Sequence, residues 1–242
     1  MPTIRVASLV YQYQTIDVIG PLDVLGSGSK AVATILKNYR PMSDELIAAT
    51  PEVEFHHLGV TLDPVQLTGG VSIVPTGTVD KAPEIDILIL GGPDVGPFTL
   101  QPEFVDYIRQ HVATGKTLFT NCTGSYVAAL AGVLDGRKAT MNNAELEWTK
   151  KRFPQVNWTN ETKWVVDGNI WTAAGAVAGM DMTAHWLKEN YGQEVLTFST
   201  MGLDYEPRDV NGVLNVIPLR FDSQGKQIST HVFPYYDSYQ AF

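Results

Sequence analysis

Four apolar segments rich in β-branched residues recur along this chain, and stretches with helical character lie between or after most of them. The predicted strands are Ile4–Tyr11, Val53–Val60, Ile85–Leu90 and Lys116–Thr120. Nearly continuous apolar strands that alternate with helices are typical of a parallel sheet covered on both faces. The alternation therefore predicts an α/β fold with a doubly wound, mainly parallel central sheet.

The rest of the chain fits around this sheet. Helices are predicted, from their periodicity and flanking residues, at Pro21–Leu25, Ser43–Ala49, Pro102–Thr114, Ser125–Leu134, Ala144–Phe153 and Ala178–Tyr191. Two smaller segments, Gly69–Val79 and Trp158–Thr172, are predicted to be hairpins beside the main sheet. Residues 26–41 form a polar excursion with a short helix. No repeat or Pro/Ser-rich linker divides the chain, so we expect one domain over residues 1–242.

The charge of the chain limits its partners. Lys and Arg number 17 against 26 Asp and Glu, a formal charge of −9 without any basic cluster, so we expect no nucleic-acid partner. No apolar run approaches the ~20 residues of a membrane helix, and the N-terminus lacks a secretory signal. We therefore expect no membrane partner and a cytoplasmic location. The Asn-x-Thr sequons at Asn121, Asn157 and Asn160 are then chance matches.

Cys122 is the only cysteine, which excludes an intramolecular disulfide and a multi-cysteine zinc site. A lone cysteine is commonly a buried packing residue. Here it lies between a predicted strand and a small-residue helix, on a turn above the carboxyl ends of parallel strands, where α/β ligand sites lie. The helix N-terminus should lower the pKa of the thiol, and the N–H groups of Thr123 and Gly124 should point toward an oxyanion beside the sulfur. We therefore predict that Cys122 is a nucleophile.

Two other segments carry candidate residues. Gly91 and Gly92 follow a buried-type strand, and an N–H of this loop either completes an oxyanion hole or belongs to an ordinary strand exit. Asp17 is a carboxylate in an apolar stretch ahead of Pro21, which we interpret as a helix start. Asp23 fits the first turn of that helix, whereas Asp17 is either a local cap or a functional acid. None of the five histidines is adjacent to Cys122, and no metal-ligand spacing emerges.

Four short motifs occur in a fixed order: Asp-Val-Ile-Gly-Pro-Leu-Asp-Val-Leu at 17–25, Leu-Gly-Gly-Pro at 90–93, Asn-Cys-Thr-Gly-Ser at 121–125, and Ala-Ala-Gly-Ala-Val-Ala-Gly-Met-Asp-Met at 173–182. Together they resemble the ThiJ/PfpI superfamily. The resemblance runs from about Ile4 to Tyr205, with extra residues at about 26–51 and an unmatched tail after Pro207. It implies a flavodoxin-like three-layer sandwich, commonly homodimeric, with a nucleophile-elbow cysteine.

Within the superfamily the chain is most similar to the isonitrile hydratase branch, whose members pair the cysteine with the aspartate of an Asp-x-x-Gly-Pro motif and follow the cysteine with threonine. Asp17, Cys122 and Thr123 match these positions. Protease-like members have histidine directly after the cysteine, and many glyoxalase members have glutamate as the acid. The chain departs from its branch at Asn142-Asn143, where the branch has histidine and tryptophan, so we predict Asn142 in an altered pocket wall.

The resemblance implies a reaction without metal or organic cofactor. Cys122 attacks the terminal carbon of an isonitrile, Asp17 supplies the proton, and water releases an N-substituted formamide. Asp17 should then lie within roughly 3–3.5 Å of the sulfur, and burial should raise its pKa. Two alternatives stay open: an enzyme acting on a reactive carbonyl or another specialised metabolite, and a non-enzymatic redox or ligand sensor in which Cys122 is oxidised.

Overall fold

The computed structural model describes residues 3–39, 41–217 and 222–228. The helices are α1 Thr15–Ser27, α2 Lys30–Leu36, α3 Asp44–Ala49, α4 Pro102–Ala113, α5 Gly124–Leu130, α6 Asn143–Arg152, α7 Ala176–Tyr191 and α8 Gln193–Gly202. The strands are β1 Ile4–Leu9, β2 Val53–Gly59, β3 Val65–Gln66, β4 Ser72–Ile73, β5 Gly77–Thr78, β6 Ile87–Leu90, β7 Thr117–Asn121, β8 Lys138–Ala139, β9 Asn157–Trp158, β10 Trp164–Asp167 and β11 Ile170–Ala173.

Among the described residues, seven strands form the main sheet, in the order β10-β11-β7-β6-β1-β2-β5. All neighbours are parallel except β10 and β11, which are antiparallel. The predicted mainly parallel α/β fold is therefore confirmed. The chain leaves β1 toward β2 on one side and later returns to β6 on the other, so a crevice opens at the carboxyl ends of β1 and β6.

Successive side chains of β7 point to opposite faces of the sheet and meet different helices. The ring of Phe119 lies 5.8 Å from that of Trp171 and 6.1 Å from that of Trp186 on α7. The hydroxyl of the next residue, Thr120, lies 2.7 Å from that of Ser125 on α5. The sheet is thus the middle layer between α5 on one face and α7 on the other, and α1 and α8 pack beside α7.

The start of α1 differs from the prediction. Helix α1 begins at Thr15, so Pro21 lies inside the helix and Asp17, rather than Asp23, occupies its first turn. The helix can begin this early because the N–H of Thr15 donates to the Thr68 hydroxyl oxygen at 3.0 Å, which satisfies a donor that the helix itself leaves unpaired.

The two predicted hairpins have different outcomes. The second is confirmed as β10 and β11, which turn at Gly168, but it forms an edge of the main sheet instead of lying beside it. The hairpin predicted over Gly69–Val79 is wrong. There, β3 pairs with β4 across the Gly69-Gly70 turn, and β5 joins β2 in the main sheet. The prediction failed because β4 and β5 each pair with a strand outside the predicted segment, β3 and β2 respectively.

The segment after α8 is held against α7 by one buried carboxylate. Asp181 accepts hydrogen bonds from the Tyr205 hydroxyl and from the Arg208 backbone N–H, the latter at 2.9 Å. Its second oxygen lies 2.8 Å from Nε and 2.6 Å from Nη2 of Arg208. The extra residues at 26–51 contain α2 and α3, while 218–221 and 229–242 of the predicted tail lie outside the described residues. Within the described part of the chain, no helix is both long enough and apolar enough to cross a bilayer.

Candidate functional site

Cys122 connects β7 to α5 in a backbone conformation that side chains rarely adopt. Its φ is +57°, in the left-handed region. Its N–H donates to the carbonyl of Ala173, at the end of the neighbouring strand β11, at 3.1 Å. The chain therefore turns from strand into helix within one residue and leaves the sulfur at the carboxyl edge of the sheet. This arrangement is the predicted nucleophile elbow.

Two glycines let the elbow pack against the loop that follows β6. A Cβ atom on Gly124 would lie 2.2 Å from the carbonyl oxygen of Leu90, and one on Gly92 would lie 2.4 Å from the hydroxyl oxygen of Thr123. The Thr123 hydroxyl donates to the carbonyl of Pro93 at 2.7 Å. The elbow and the Gly-Gly-Pro loop are therefore in direct backbone contact, which any larger residue at 92 or 124 would disrupt.

Asp17 reaches this loop from the first turn of α1. The side chain is fully buried, and its Oδ2 accepts the backbone N–H of Gly92 at 2.8 Å. Burial raises the pKa of the carboxyl from 3.8 to about 7, although the Gly92 hydrogen bond favours the ionised form. Oδ1 is buried and has no hydrogen-bond partner among the described residues. Because Oδ2 is occupied as an acceptor, the proton of the acid form belongs on Oδ1.

Asn121 fixes the position of Asp17 through the backbone. Pro21 has no N–H, so the carbonyl of Asp17, four residues earlier, has no donor within the helix. The side-chain Nδ2 of Asn121 donates to this carbonyl at 2.6 Å. A Cβ atom on Gly179 of α7 would lie 2.4 Å from the Asn121 side chain, so a glycine there makes room for the amide. Asn121 was not among the predicted site residues. The sequence feature that could have pointed to such a partner is Pro21, four positions after Asp17, because it leaves the Asp17 carbonyl in need of a donor.

The thiol of Cys122 is less acidic than predicted. Its side chain is buried, and burial together with the negative charge of Asp17 raises its pKa. Donors from Asn142 and from the Thr123 backbone lower the pKa but do not compensate. The expected depression by the helix N-terminus is therefore wrong, because desolvation and a nearby carboxylate outweigh it. At neutral pH the resting form is a protonated thiol.

Asn142 contacts the sulfur directly. Its Nδ2 donates to Cys122 Sγ at 3.2 Å, while its Oδ1 accepts the N–H of Ala144 at 2.9 Å and caps α6. Because the Ala144 N–H requires an acceptor, these two bonds assign the amide oxygen and nitrogen without ambiguity. The asparagine therefore donates to the sulfur through its nitrogen while its oxygen caps α6.

Two roles predicted for the neighbouring residues do not match the geometry. The Gly92 N–H is engaged by Asp17 and is not free to bind an oxyanion, and the carbonyl of Gly91 accepts the Tyr11 hydroxyl at 2.7 Å. The Thr123 hydroxyl donates to a backbone carbonyl and not to the sulfur. The Gly92 N–H therefore positions the acid, and the N–H groups of Gly91, Thr123 and Gly124 stay the predicted oxyanion donors.

The predicted hydrogen bond between Asp17 and Cys122 is absent: no such bond joins the two side chains, although the carboxylate lies close enough to raise the pKa of the thiol. The reason is that Asp17 is anchored at both its backbone and its Oδ2 to other elements. Within the described ranges, no three His, Cys, Asp or Glu side chains come together as a metal site requires.

The sequence and the fold of this chain are both similar to those of known proteins. The model of the DJ-1/PfpI family matches residues 4–189. Isonitrile hydratase from Pseudomonas putida is 30% identical over 199 residues, which are 81% of this chain and 75% of that protein. The HTH-type transcriptional regulator GbdR from Pseudomonas aeruginosa is 29% identical over 141 residues, which are 58% of this chain and 38% of the regulator. The crystal structure of a ThiJ/PfpI family protein from Pseudomonas syringae matches with a TM-score of 0.68 and 25% identity, over 86% of this chain and 77% of that one.

Proposed function

Because this chain belongs to the DJ-1/PfpI family, we propose that it is a cysteine-dependent enzyme that adds water to an isonitrile, with Cys122 as nucleophile and Asp17 as acid. The observation that carries the proposal is the Asp17 carboxyl, which is fully buried, has a pKa of about 7 and has one oxygen without a partner in the described residues. A carboxyl with these properties can donate a proton near neutral pH.

The first half of the reaction joins the substrate to the enzyme. The terminal carbon of the isonitrile takes the proton from Oδ1 of Asp17, and the sulfur of Cys122 bonds to the same carbon. The thiol proton then passes to the Asp17 carboxylate. The product is a thioimidate, in which the carbon carries one hydrogen, the sulfur and a double bond to nitrogen. Protonation of the carbon makes it electrophilic enough for a sulfur nucleophile that is not strongly ionised at rest.

The second half releases the product with water. Water adds to the carbon–nitrogen double bond while Asp17 transfers a proton to the nitrogen and recovers one from the water. The carbon–sulfur bond then breaks while Asp17 gives its proton to the departing sulfur and takes the hydroxyl proton of the adduct, which gives an N-substituted formamide and restores the thiol of Cys122. The Asn142 donor, 3.2 Å from the sulfur, stabilises the negative charge that develops as the sulfur leaves. The N–H groups of Thr123 and Gly124 serve as donors to the oxygen of the adduct.

The direct test is turnover of a panel of alkyl and aryl isonitriles, with formation of the formamide followed by NMR. Asp17→Asn and Cys122→Ser should each lower kcat by at least about 100-fold, because each removes a group that takes part in bond making. Asp80→Asn, an exposed carboxylate far from the site, serves as the matched control and should be unaffected. Full turnover by Cys122→Ser would rule out the nucleophile.

Two alternatives have distinct outcomes in the same assays. Formation of hydroxy acid from 2-oxoaldehydes, with no turnover of isonitriles, would assign the site to a reactive carbonyl. The similarity to part of a transcriptional regulator favours a ligand or redox sensor as the second candidate. Its raised pKa makes Cys122 less prone to oxidation, which is why we rank the sensor below the enzyme. In both enzymatic cases we expect a cytoplasmic homodimer that needs no cofactor.

A further inference from the structure

A second cleft opens beside the elbow, at the carboxyl ends of β1 and β2. Its volume is about 390 Å³, within the range of small-molecule sites, which starts at roughly 300 Å³. Neither Cys122 nor Asp17 lines it, so it is distinct from the proposed active site. Pro93 lines the cleft, and its carbonyl accepts the Thr123 hydroxyl, so one loop borders both sites.

Three aromatic rings form one wall of the cleft. The Tyr11 ring centroid lies 5.2 Å from that of Phe98 and 6.0 Å from that of Phe104, in tilted and edge-on arrangements. Tyr11 is held in place because its hydroxyl donates to the carbonyl of Gly91 at 2.7 Å. Tyr11 and Phe104 are buried, whereas Phe98 is half-buried. Fixed aromatic rings offer a ligand apolar area and a surface that attracts cations.

The charged groups that line the cleft are both acidic. Asp63 and Asp94 are exposed, and no Lys, Arg or His occurs among the described residues that line the cleft. Asp63 is held by the Thr61 hydroxyl, which donates to its Oδ2 at 2.9 Å, and Asp94 by the N–H of Gly96 at 3.1 Å. Each carboxylate keeps one oxygen outside these local bonds. The potential in the cleft is therefore negative, in keeping with the net charge of −9.

The start of α4 also borders the cleft but offers few free donors to an anion. Pro102, its first residue, has no N–H. The N–H groups of Phe104 and Val105 both donate to the carbonyl of Gln101 at 3.1 Å. Three of the first four residues of α4 therefore offer no free N–H group, which weakens this helix N-terminus as an offset to the two carboxylates.

From the aromatic wall and the uncompensated carboxylates, we propose that this cleft binds an organic ammonium ion with an aromatic or alkyl body. The body packs against Tyr11, Phe98 and Phe104, and the ammonium group lies toward Asp63 and Asp94. The site is separate from Cys122 and does not depend on the isonitrile chemistry proposed for it.

Three probes with the same phenyl ring and different charges test the proposal: protonated 2-phenylethylamine, neutral 2-phenylethanol and anionic 3-phenylpropanoate. In titration calorimetry with the full chain at pH 7, the ammonium ion should bind at least about tenfold more tightly than the alcohol, and the carboxylate most weakly. The double variant Asp63→Asn/Asp94→Asn keeps both local hydrogen bonds. It should lower the affinity for the ammonium ion by about five- to tenfold and leave the affinity for the alcohol unchanged.

Three controls locate the binding. Phe98→Leu should lower the affinity for both the ammonium ion and the alcohol, because it removes ring area and no charge. Asp17→Asn and Asp80→Asn should change neither affinity. Equal affinities for the ammonium ion and the alcohol, or no binding of either, would overturn the proposal. Loss of ammonium binding in Asp17→Asn but not in Asp63→Asn/Asp94→Asn would also overturn it, because the cation would then occupy the Cys122 site.

Discussion

Asp17 accepts the backbone N–H of Gly92 through one carboxyl oxygen, at 2.8 Å, in a position that water does not reach. The hydrogen bond favours the ionised carboxylate, and burial disfavours it more strongly, so the pKa rises to about 7. The same residue is therefore an available acid at neutral pH and a cost to the folded state whenever it ionises. These two properties can be measured separately.

The first prediction concerns the stability of Asp17→Asn at different pH values. The carboxyl ionises near 3.8 in the unfolded chain and near 7 in the folded one, so wild-type stability falls as pH rises between these values and stays low above them. The asparagine has no proton to lose. The difference in free energy of unfolding between Asp17→Asn and wild type, measured by urea denaturation, should therefore shift in favour of the variant by about 2–3 kcal/mol from pH 5 to pH 8.

Asp80→Asn is the control for this comparison, because Asp80 is exposed to solvent. Its difference from wild type should be small at both pH values. A difference between Asp17→Asn and wild type that did not change with pH would mean that the carboxyl is not held neutral in the folded protein.

The second prediction concerns Asn142. In Asn142→Ser the hydroxyl can still cap α6, but the donor to the Cys122 sulfur is lost. The pKa of the thiol should therefore rise by about one unit, since the donor stabilises only the thiolate. The pH dependence of the rate at which iodoacetamide alkylates the protein reports this pKa, because the chain has one cysteine. Asn143→Ser, an exposed neighbour, is the matched control, and an equal shift in both variants would count against the contact.

The third prediction concerns the close contact between Gly124, at the start of α5, and the Leu90 carbonyl, at the end of β6. In Gly124→Ala the new Cβ would lie 2.2 Å from the carbonyl oxygen of Leu90, and neither backbone can move away cheaply. We expect a loss of about 2–3 kcal/mol in the free energy of unfolding. Gly26→Ala, within α1, would place its Cβ 3.6 Å from the Phe55 ring and should be neutral or stabilising by up to about 1 kcal/mol. If both variants were equally stable, the close packing of the elbow would be refuted.

The fourth prediction concerns the ion pair that anchors the segment after α8. Arg208→Met leaves the Asp181 carboxylate fully buried without a counter-charge, so it should cost about 3–5 kcal/mol in thermal or urea unfolding. Asp181→Asn combined with Arg208→Met should recover part of this loss. Arg5→Met breaks the exposed pair with Glu54 and should cost less than about 1 kcal/mol. Similar losses for the two arginines would argue that the segment is not held by this bond.

The sequence predicted the parts of the fold that depend on local patterns. Three of the four apolar runs became β1, β6 and β7, which are buried along almost their whole length, because strands covered on both faces need apolar side chains throughout. The fourth became β2, which lies next to the edge strand β5 and leaves Glu54 and Phe55 exposed. Pro21 misled the prediction of α1, because a proline is expected to start or end a helix. Here Pro21 leaves the carbonyl of Asp17 unpaired, and Asn121, 104 positions after Asp17, donates to it; no local pattern contains that partner.

The pKa of the Cys122 thiol was predicted wrongly for the same reason, because it depends on residues that are distant in the sequence. The position of Cys122 before a helix was visible in the sequence and indicated a lowered pKa. The opposing contributions come from burial and from Asp17 on a different element, and only the packed structure reveals them. Asn142 was predicted in the pocket because it interrupts a motif, while its contact with the sulfur depends on how α6 is capped.

The hydrogen bond from Asn121 to Asp17 also constrains how this protein can be produced. Residues 121–123 spell Asn-Cys-Thr, which oligosaccharyltransferases accept as a substrate while a chain is still unfolded. The atom that would carry the sugar is Nδ2, the nitrogen that donates to the Asp17 carbonyl in a fully enclosed space. A chain carrying a glycan there cannot close α1 against β7. Expression through a eukaryotic secretory route should therefore yield misfolded material, whereas a host compartment without sugar transfer should yield the folded protein.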